Sequence, residues 1–155
     1  MVSRKISDLT PRMQVVTNNF IAALQKAGLT WFFISCTYRS QIEQDAIYAR
    51  GRLPLEEVNS LNIKAGMSLI IEEQNKNSIT WVKQSIHTKR EAVDFYIRKD
   101  GKYCNDLKVD MNKDNIPDWQ EFGKIAKDCG LDWGGYWKTN KDYPHVQYPQ
   151  EGGSV

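Results

Sequence analysis

Cysteine is scarce in this 155-residue chain: Cys36, Cys104 and Cys129 are the three present, and no two stand in CxxC spacing. An odd number without that spacing implies neither a disulfide framework nor a cysteine zinc site, and the thiols read as core or surface groups. Long apolar runs are also missing. No window approaches the roughly 18 to 20 residues of a membrane span, and the opening MVSRKISDLT has no signal-peptide core, so the expectation is a protein made and folded in a cytoplasm. A charge excess is missing too, with 21 Lys plus Arg against 19 Asp plus Glu and a formal charge of +2. That leaves no broad basic footprint for nucleic acid, and recognition falls to a local site. There is no internal repeat, low-complexity tract or linker. What is present is 41% hydrophobic, 26% charged and 11% aromatic, enough for one domain with a real core and too little for two. We read residues 1–155 as a single domain.

Thr10 and Pro11 form an N-cap and first-turn pair, and Met13, Val16, Phe20, Leu24 and Ala27 recur at helical spacing until Gly28, which predicts a helix over 11–27. Trp31 to Cys36 reads as a buried strand leading into Thr37, Tyr38, Arg39 and Ser40. Ser40 and Glu43 make a capping box for a helix to about Arg50, closed by Gly51 and Pro54. Residues 55–79 are mixed and read mainly as loop, with Ser68 to Ile71 as a possible short strand. Ser78 to Val82 and Glu91 to Ile97 read as sheet strands, Val93, Phe95 and Ile97 on one face and Ala92, Asp94 and Tyr96 on the other. Pro117 and Asp118 open a last helix carrying Trp119, Phe122, Ile125 and Ala126 and ending at Gly130, and His145 to Tyr148 returns to the sheet. Helices first and sheet after give an α+β fold, helices packed on a small, mainly antiparallel sheet.

The sequence holds two histidines, His87 and His145. Each has a carboxylate near it: Asp94 lies seven residues after the first, and Asp142 three before the second. Two imidazoles and a carboxylate can hold a catalytic zinc with one position open, and a further carboxylate can then take a proton from water and pass it to a leaving amine. HEXXH is absent, and spacing alone leaves open the reading of two ordinary hydrogen-bonded histidines.

The surrounding residues carry more. Ser85-Ile86-His87-Thr88-Lys89-Arg90-Glu91-Ala92-Val93-Asp94 resembles the S-x-H-x-x-G-x-A-x-D signature of the zinc D-Ala-D-Ala carboxypeptidase and L-alanyl-D-glutamate peptidase family. Trp133-Gly134-Gly135-Tyr136-Trp137 with Asp142-Tyr143-Pro144-His145-Val146-Gln147 resembles its second signature. Tyr38-Arg39-Ser40 with Gln44 and Gly51-Arg52 is similar to a third pattern, typical of the phage endolysin branch. The three occur in family order over residues 37–147. The resemblance implies a zinc peptidase fold in which His87, Asp94 and His145 bind Zn²⁺, Asp142 is the general base and acid, and Arg39 polarises the scissile carbonyl. A salt bridge at the helix start is the other reading of Arg39. Ser85, Gln44, Tyr136 and Trp137 are the substrate-side candidates, with support of the metal site or strand ending open for Ser85 and core packing open for the two aromatics. Arg90 stands where the family has glycine, which implies a locally different turn.

Residues Asp110 to Glu121 place oxygen side chains at positions 1, 3, 5, 9 and 12 of a twelve-residue frame: Asp110, Asn112, Asp114, Asp118 and Glu121, with the Ile116 carbonyl at position 7. This is EF-hand spacing for Ca²⁺ inserted at 110–121, although Asn115 replaces the usual glycine and Pro117 the usual aliphatic residue. An acidic solvated loop with a helix cap is the other reading. The resemblance adds calcium regulation, with Ca²⁺ ordering the loop and helix and so positioning the His145 segment.

The expected function is therefore a zinc-dependent endopeptidase cutting the L-Ala-D-Glu bond of peptidoglycan stem peptides, acting as a phage or prophage endolysin. It is expected to be a monomer with neither nucleic acid nor stable membrane association, held in the host cytoplasm until a separate holin-like permeabilising protein releases it to the wall or periplasm. The alternatives are a D-Ala-D-Ala carboxypeptidase of the same family and a noncatalytic calcium-dependent wall-binding module.

Overall fold

A computed structural model describes residues 2–150 of the chain; residues 1 and 151–155 of the predicted domain lie outside the described residues. Helix α1 spans Pro11–Lys26, and Thr10 Oγ1 accepts from the Met13 amide at 3.4 Å. It buries Met13, Thr17, Phe20 and Leu24 at the predicted spacing and ends at Gly28, whose φ of 81° is a left-handed stop. Strand β1 is Phe32–Cys36. Helix α2, Gln41–Ala49, carries the full capping box: Ser40 Oγ accepts from the Glu43 amide at 3.2 Å while Glu43 Oε2 accepts from the Ser40 amide at 2.9 Å.

The segment read as mixed loop holds a helix, α3, at Leu55–Lys64, burying Val58 and Asn62. Its polar face disguised it. Ser68 to Ile71 is not a strand, and neither is Ser78 to Val82. Side chains occupy the backbone groups a strand neighbour would take: Asn59 both receives the Ile70 amide and donates to the Ile70 carbonyl, each at 2.9 Å, and Gln44 and Arg52 donate to the Val82 and Thr80 carbonyls at 2.7 and 2.9 Å.

The remaining elements are β2 (Ala92–Lys99), β3 (Lys102–Cys104), α4 (Asp118–Asp128), β4 (Asp132–Trp133) and β5 (His145–Gln147). They complete a five-stranded sheet in the order β1-β2-β5-β4, with β3 also on β2 and every pairing antiparallel. The expected α+β class and antiparallel sheet are what the chain forms. Val93, Phe95 and Ile97 face the core, where Phe20, Phe95 and Phe122 meet edge to face with centroids 4.9–5.6 Å apart. The strand alternation that buries these three turns Asp94 to the other face of the sheet.

Candidate zinc centre

Asp94 anchors the site from the centre of the sheet. Its partner across β2–β5 is His145, and across β1–β2 it is Cys36, because a bulge between Ile34 and Cys36 shifts the β1 register. His87 comes from a different kind of element, the short 3₁₀ turn Ile86–Lys89, whose first amides are capped when Ser85 Oγ accepts from the His87 amide at 3.3 Å. Both histidines are buried.

The two rings are oriented from behind. His87 Nδ1–H donates to the Thr37 carbonyl at 2.9 Å, and His145 Nε2–H donates to Gln147 Oε1 at 2.9 Å. Those bonds fix the tautomers and leave His87 Nε2 and His145 Nδ1 facing a single carboxylate oxygen, Asp94 Oδ1, at 3.1 and 3.0 Å. Two ring nitrogens facing one carboxylate oxygen need a positive charge among them, which a proton on His87 supplies in the metal-free protein. Burial disfavours the charged form of His87, but the Asp94 carboxylate and the Cys36 contact outweigh it and hold its pKa up at about 10. Asp94 is desolvated, yet the two histidines drive its pKa far below the carboxylate range. The two histidine-to-Asp94 separations, 3.1 and 3.0 Å, come near the edge of a tetrahedral zinc shell, about 3.3 Å for bonds of about 2.0 Å. The N, N, O donor set with hydrogen-bonded outer nitrogens fits Zn²⁺.

Cys36 Sγ, His87 and Asp94 also lie within 4.8 Å of one another. The sulfur nevertheless sits on the Nδ1 side of His87, at 3.6 Å, and Arg39 Nη2 donates to it at 3.7 Å. A guanidinium against the thiol opposes a cation there, whereas His145 Nδ1 faces Asp94 Oδ1 at 3.0 Å.

Asp142 is held at the site by the Gly134 carbonyl, which accepts its amide at 3.1 Å, and its own carbonyl accepts from the His145 amide at 3.2 Å. Burial and the Asp94 charge raise its pKa above the ordinary carboxylate value, against the opposing pull of His145, His87 and Arg39. A carboxyl so placed is suited to trade a proton. Arg39 donates from Nη1 to Gln44 Oε1 at 2.7 Å, lies 3.9 Å from Asp94 Oδ2 through Nη2, and has its Nε–H buried without a partner. The ion-pair reading of Arg39 is thus partly realised, with its Nε–H buried and unpaired.

The substrate-side candidates separate. Gln44 is fully buried, its amide committed to Arg39 and to the Val82 carbonyl, so it positions Arg39 instead of meeting substrate. Ser85 is likewise buried and caps the His87 turn. The Trp137 ring lies beside His145, centroids 5.3 Å apart. Tyr136 instead packs edge-on against Trp133 at 4.8 Å and lines a groove of about 690 Å³ with Lys141, Tyr143 and residues of α4, a lining that contains no zinc-ligand candidate. Gln147, Thr37 and Gly134 were missed by sequence reasoning. Gln147 had a legible signal, since it follows His145 by two and shares its strand face.

Arg90 does not produce a different turn: it adopts φ 64° and ψ 30°, the left-handed conformation glycine favours, and donates its amide to the His87 carbonyl at 3.1 Å. Its side chain is accommodated outside, stacked 4.1 Å over Tyr38 and donating to the Asp8 carbonyl at 3.2 Å.

In the acidic loop, Asp110 accepts the amides of Lys113, Asp114 and Asn115, and Asp114 accepts that of Ile116. Asn112 Nδ2 donates to Asp114 Oδ2 at 3.3 Å and Glu121 Oε2 at 3.1 Å. Asn115 takes φ 71° at the usual glycine position. Asp118 departs from the predicted set: it is fully buried, and both its carboxylate oxygens accept the Met111 amide at 3.2 Å. Positions 1, 3, 5 and 12 remain gathered.

Comparison with known proteins bears on the family and the fold. The sequence model of the D-alanyl-D-alanine carboxypeptidase family matches residues 78–148. The peptidoglycan L-alanyl-D-glutamate endopeptidase CwlK of Bacillus subtilis (strain 168) is 33% identical over 144 residues, covering 91% of this chain and 74% of that protein. Two solved structures share the fold at a TM-score of 0.53: the Serratia marcescens L-Ala D-Glu endopeptidase ChiX, at 23% identity over 96% of this chain and 89% of its own, and a mutant of the vancomycin-resistance D,D-pentapeptidase VanY from a VanB-type cassette in complex with Zn(II), at 15% identity over 90% and 72%. With a relative of that identity along most of both chains, and a donor set shaped for zinc, this chain belongs to the D-alanyl-D-alanine carboxypeptidase family of zinc metallopeptidases.

Proposed function

We propose that the protein hydrolyses the L-Ala-D-Glu bond of peptidoglycan stem peptides. The observation that carries this reading is the convergence of His87 Nε2 and His145 Nδ1 on Asp94 Oδ1, with the raised carboxyl of Asp142 beside them; the choice of bond leans on the similarity to CwlK. A zinc ion held by His87, Asp94 and His145 would supply Lewis acidity, lowering the pKa of water and polarising the scissile carbonyl. Asp142 takes the proton from the attacking water, and as the C–N bond breaks it gives that proton to the leaving amine of D-Glu. Arg39, beside Asp94, supplies positive charge to the oxygen that gains charge.

The test is mass spectrometry of purified peptidoglycan after incubation with the protein as prepared, after chelation, and after Zn²⁺ is restored. New L-Ala carboxyl ends and stems beginning at D-Glu, lost on chelation, are the expected products. A second reading, D,D-carboxypeptidase, is favoured by the shared fold with VanY, and free D-Ala as sole product would replace the first with it. Absence of product in every condition, with wall binding retained, would leave the noncatalytic binding module.

The finer biological reading is a phage or prophage endolysin, kept in the host cytoplasm and released to the wall by a separate holin-like protein. Calcium belongs to this proposal too: Asp110, Asn112, Asp114 and Glu121 support it by their EF-hand spacing and close approach. Lysis assays across calcium concentrations test it, and Asp114→Ala indistinguishable from the parent in all of them would remove it.

A further inference from the structure

We propose that Cys36 is a positioning residue that holds Arg39 off the zinc ligand Asp94, a role resting on the peptidase reading above. The thiol is buried at 4% exposure, delivered opposite Asp94 by the β1 bulge. Its sulfur touches both functional groups at once, His87 Nδ1 at 3.6 Å and Arg39 Nη2 at 3.7 Å. The imidazole needs no hydrogen bond from it, because Nδ1–H already donates to the Thr37 carbonyl at 2.9 Å. The sulfur therefore serves Arg39. It is a large, weak acceptor, and it keeps the guanidinium at a long 3.9 Å from Asp94 Oδ2 while Gln44 fixes the opposite edge at 2.7 Å.

Removing the sulfur frees Nη2, which already lies 3.9 Å from Asp94 Oδ2, of its competing acceptor. In a buried site the attraction between the two then draws Arg39 into a direct ion pair with Asp94. Two consequences follow from one movement. Positive charge on Asp94 competes with the bound cation, and the guanidinium is drawn away from the substrate side.

The experiment is a double-mutant cycle of Cys36→Ala and Arg39→Ala, with Cys36→Ser as the conservative variant and thermal unfolding as the folding check. Zinc affinity, measured by competition with a chromogenic chelator, is read first because it needs no substrate. Cys36→Ala is expected to weaken zinc about tenfold and to lower kcat about tenfold with KM nearly unchanged. Both effects vanish in the Arg39→Ala background, and Cys36→Ser restores most of each. Equal losses with and without Arg39, or no loss from Cys36→Ala, would overturn the proposal. If the parent protein cleaves no peptidoglycan, the peptidase reading fails, and the zinc cycle still decides the role of Cys36.

Discussion

His145 stands directly opposite Asp94 in the β2–β5 register, its Nδ1 3.0 Å from Asp94 Oδ1 while Gln147 holds the other ring nitrogen at 2.9 Å. Gln147→Ala removes that acceptor and lets the ring choose its tautomer and rotate. Zinc affinity is expected to fall about 10- to 100-fold with the fold intact, as measured by chelator competition beside a thermal melt. Unchanged affinity would show that packing alone orients His145.

Zinc binding should expel a proton. In the metal-free protein the pKa of His87 is raised to about 10 against the cost of its burial, chiefly by Asp94, so the ring is protonated at neutral pH. A metal ligand must be neutral imidazole, and the proton leaves when the cation enters. Apparent zinc affinity is then expected to rise by about tenfold per pH unit from pH 6 to 8, with about one proton released per zinc from His87. Calorimetry in buffers of differing ionisation enthalpy counts that proton, and a count of zero would contradict the assignment.

Asp142 is expected to set the acid limb of activity. Burial first, and the Asp94 charge second, raise its pKa above the ordinary carboxylate value, and the base form is the carboxylate. As pH falls, activity is therefore lost through a pKa above that of a solvent-exposed aspartate. Asp142→Asn is expected to lower kcat by about 100-fold or more and to abolish this limb while zinc content stays at one per chain. A pH profile of kcat for both proteins checks the two effects together.

Gly134 makes the placement of Asp142 possible. A Cβ there would lie 2.3 Å from the Asp142 carbonyl oxygen, backbone that cannot swing aside. Gly134→Ala is expected to destabilise the fold by about 1–3 kcal/mol and to depress kcat while leaving the zinc ligands in place. Chemical denaturation and zinc content separate these outcomes.

The histidine–carboxylate set is legible through the family resemblance and not through spacing; what local order does encode is that Asp94 faces away from Val93 and Phe95 and that Ser85 caps the turn carrying His87. The same local logic gave α1 and the capping box of α2. Tertiary choices were not written so openly. Helix α3 shows only two buried residues, Val58 and Asn62, too few for a clear apolar stripe. Ser78 to Val82 has strand-like composition, but Gln44 and Arg52 take its carbonyls. The bulge that delivers Cys36 and the inward turn of Asp118 depend on partners far along the chain or across the loop, which periodicity does not encode.

Arg90 poses a sharper question, since an arginine occupies a left-handed turn three residues after His87 and donates its amide to the His87 carbonyl. That conformation costs a side-chain-bearing residue about 1–2 kcal/mol, and stacking on Tyr38 offsets roughly 0.5–1 kcal/mol of it. The bond to the Asp8 carbonyl adds to the offset. Arg90→Gly relieves the backbone and loses the stacking, so its stability is expected within about 1 kcal/mol of the parent. Arg90→Ala keeps the backbone cost and loses the stacking, so it is expected to be less stable than either by about 1 kcal/mol. Denaturant unfolding of the three proteins in parallel checks the order. An alanine variant as stable as the glycine variant would mean that the left-handed turn relaxes once the Tyr38 contact is gone.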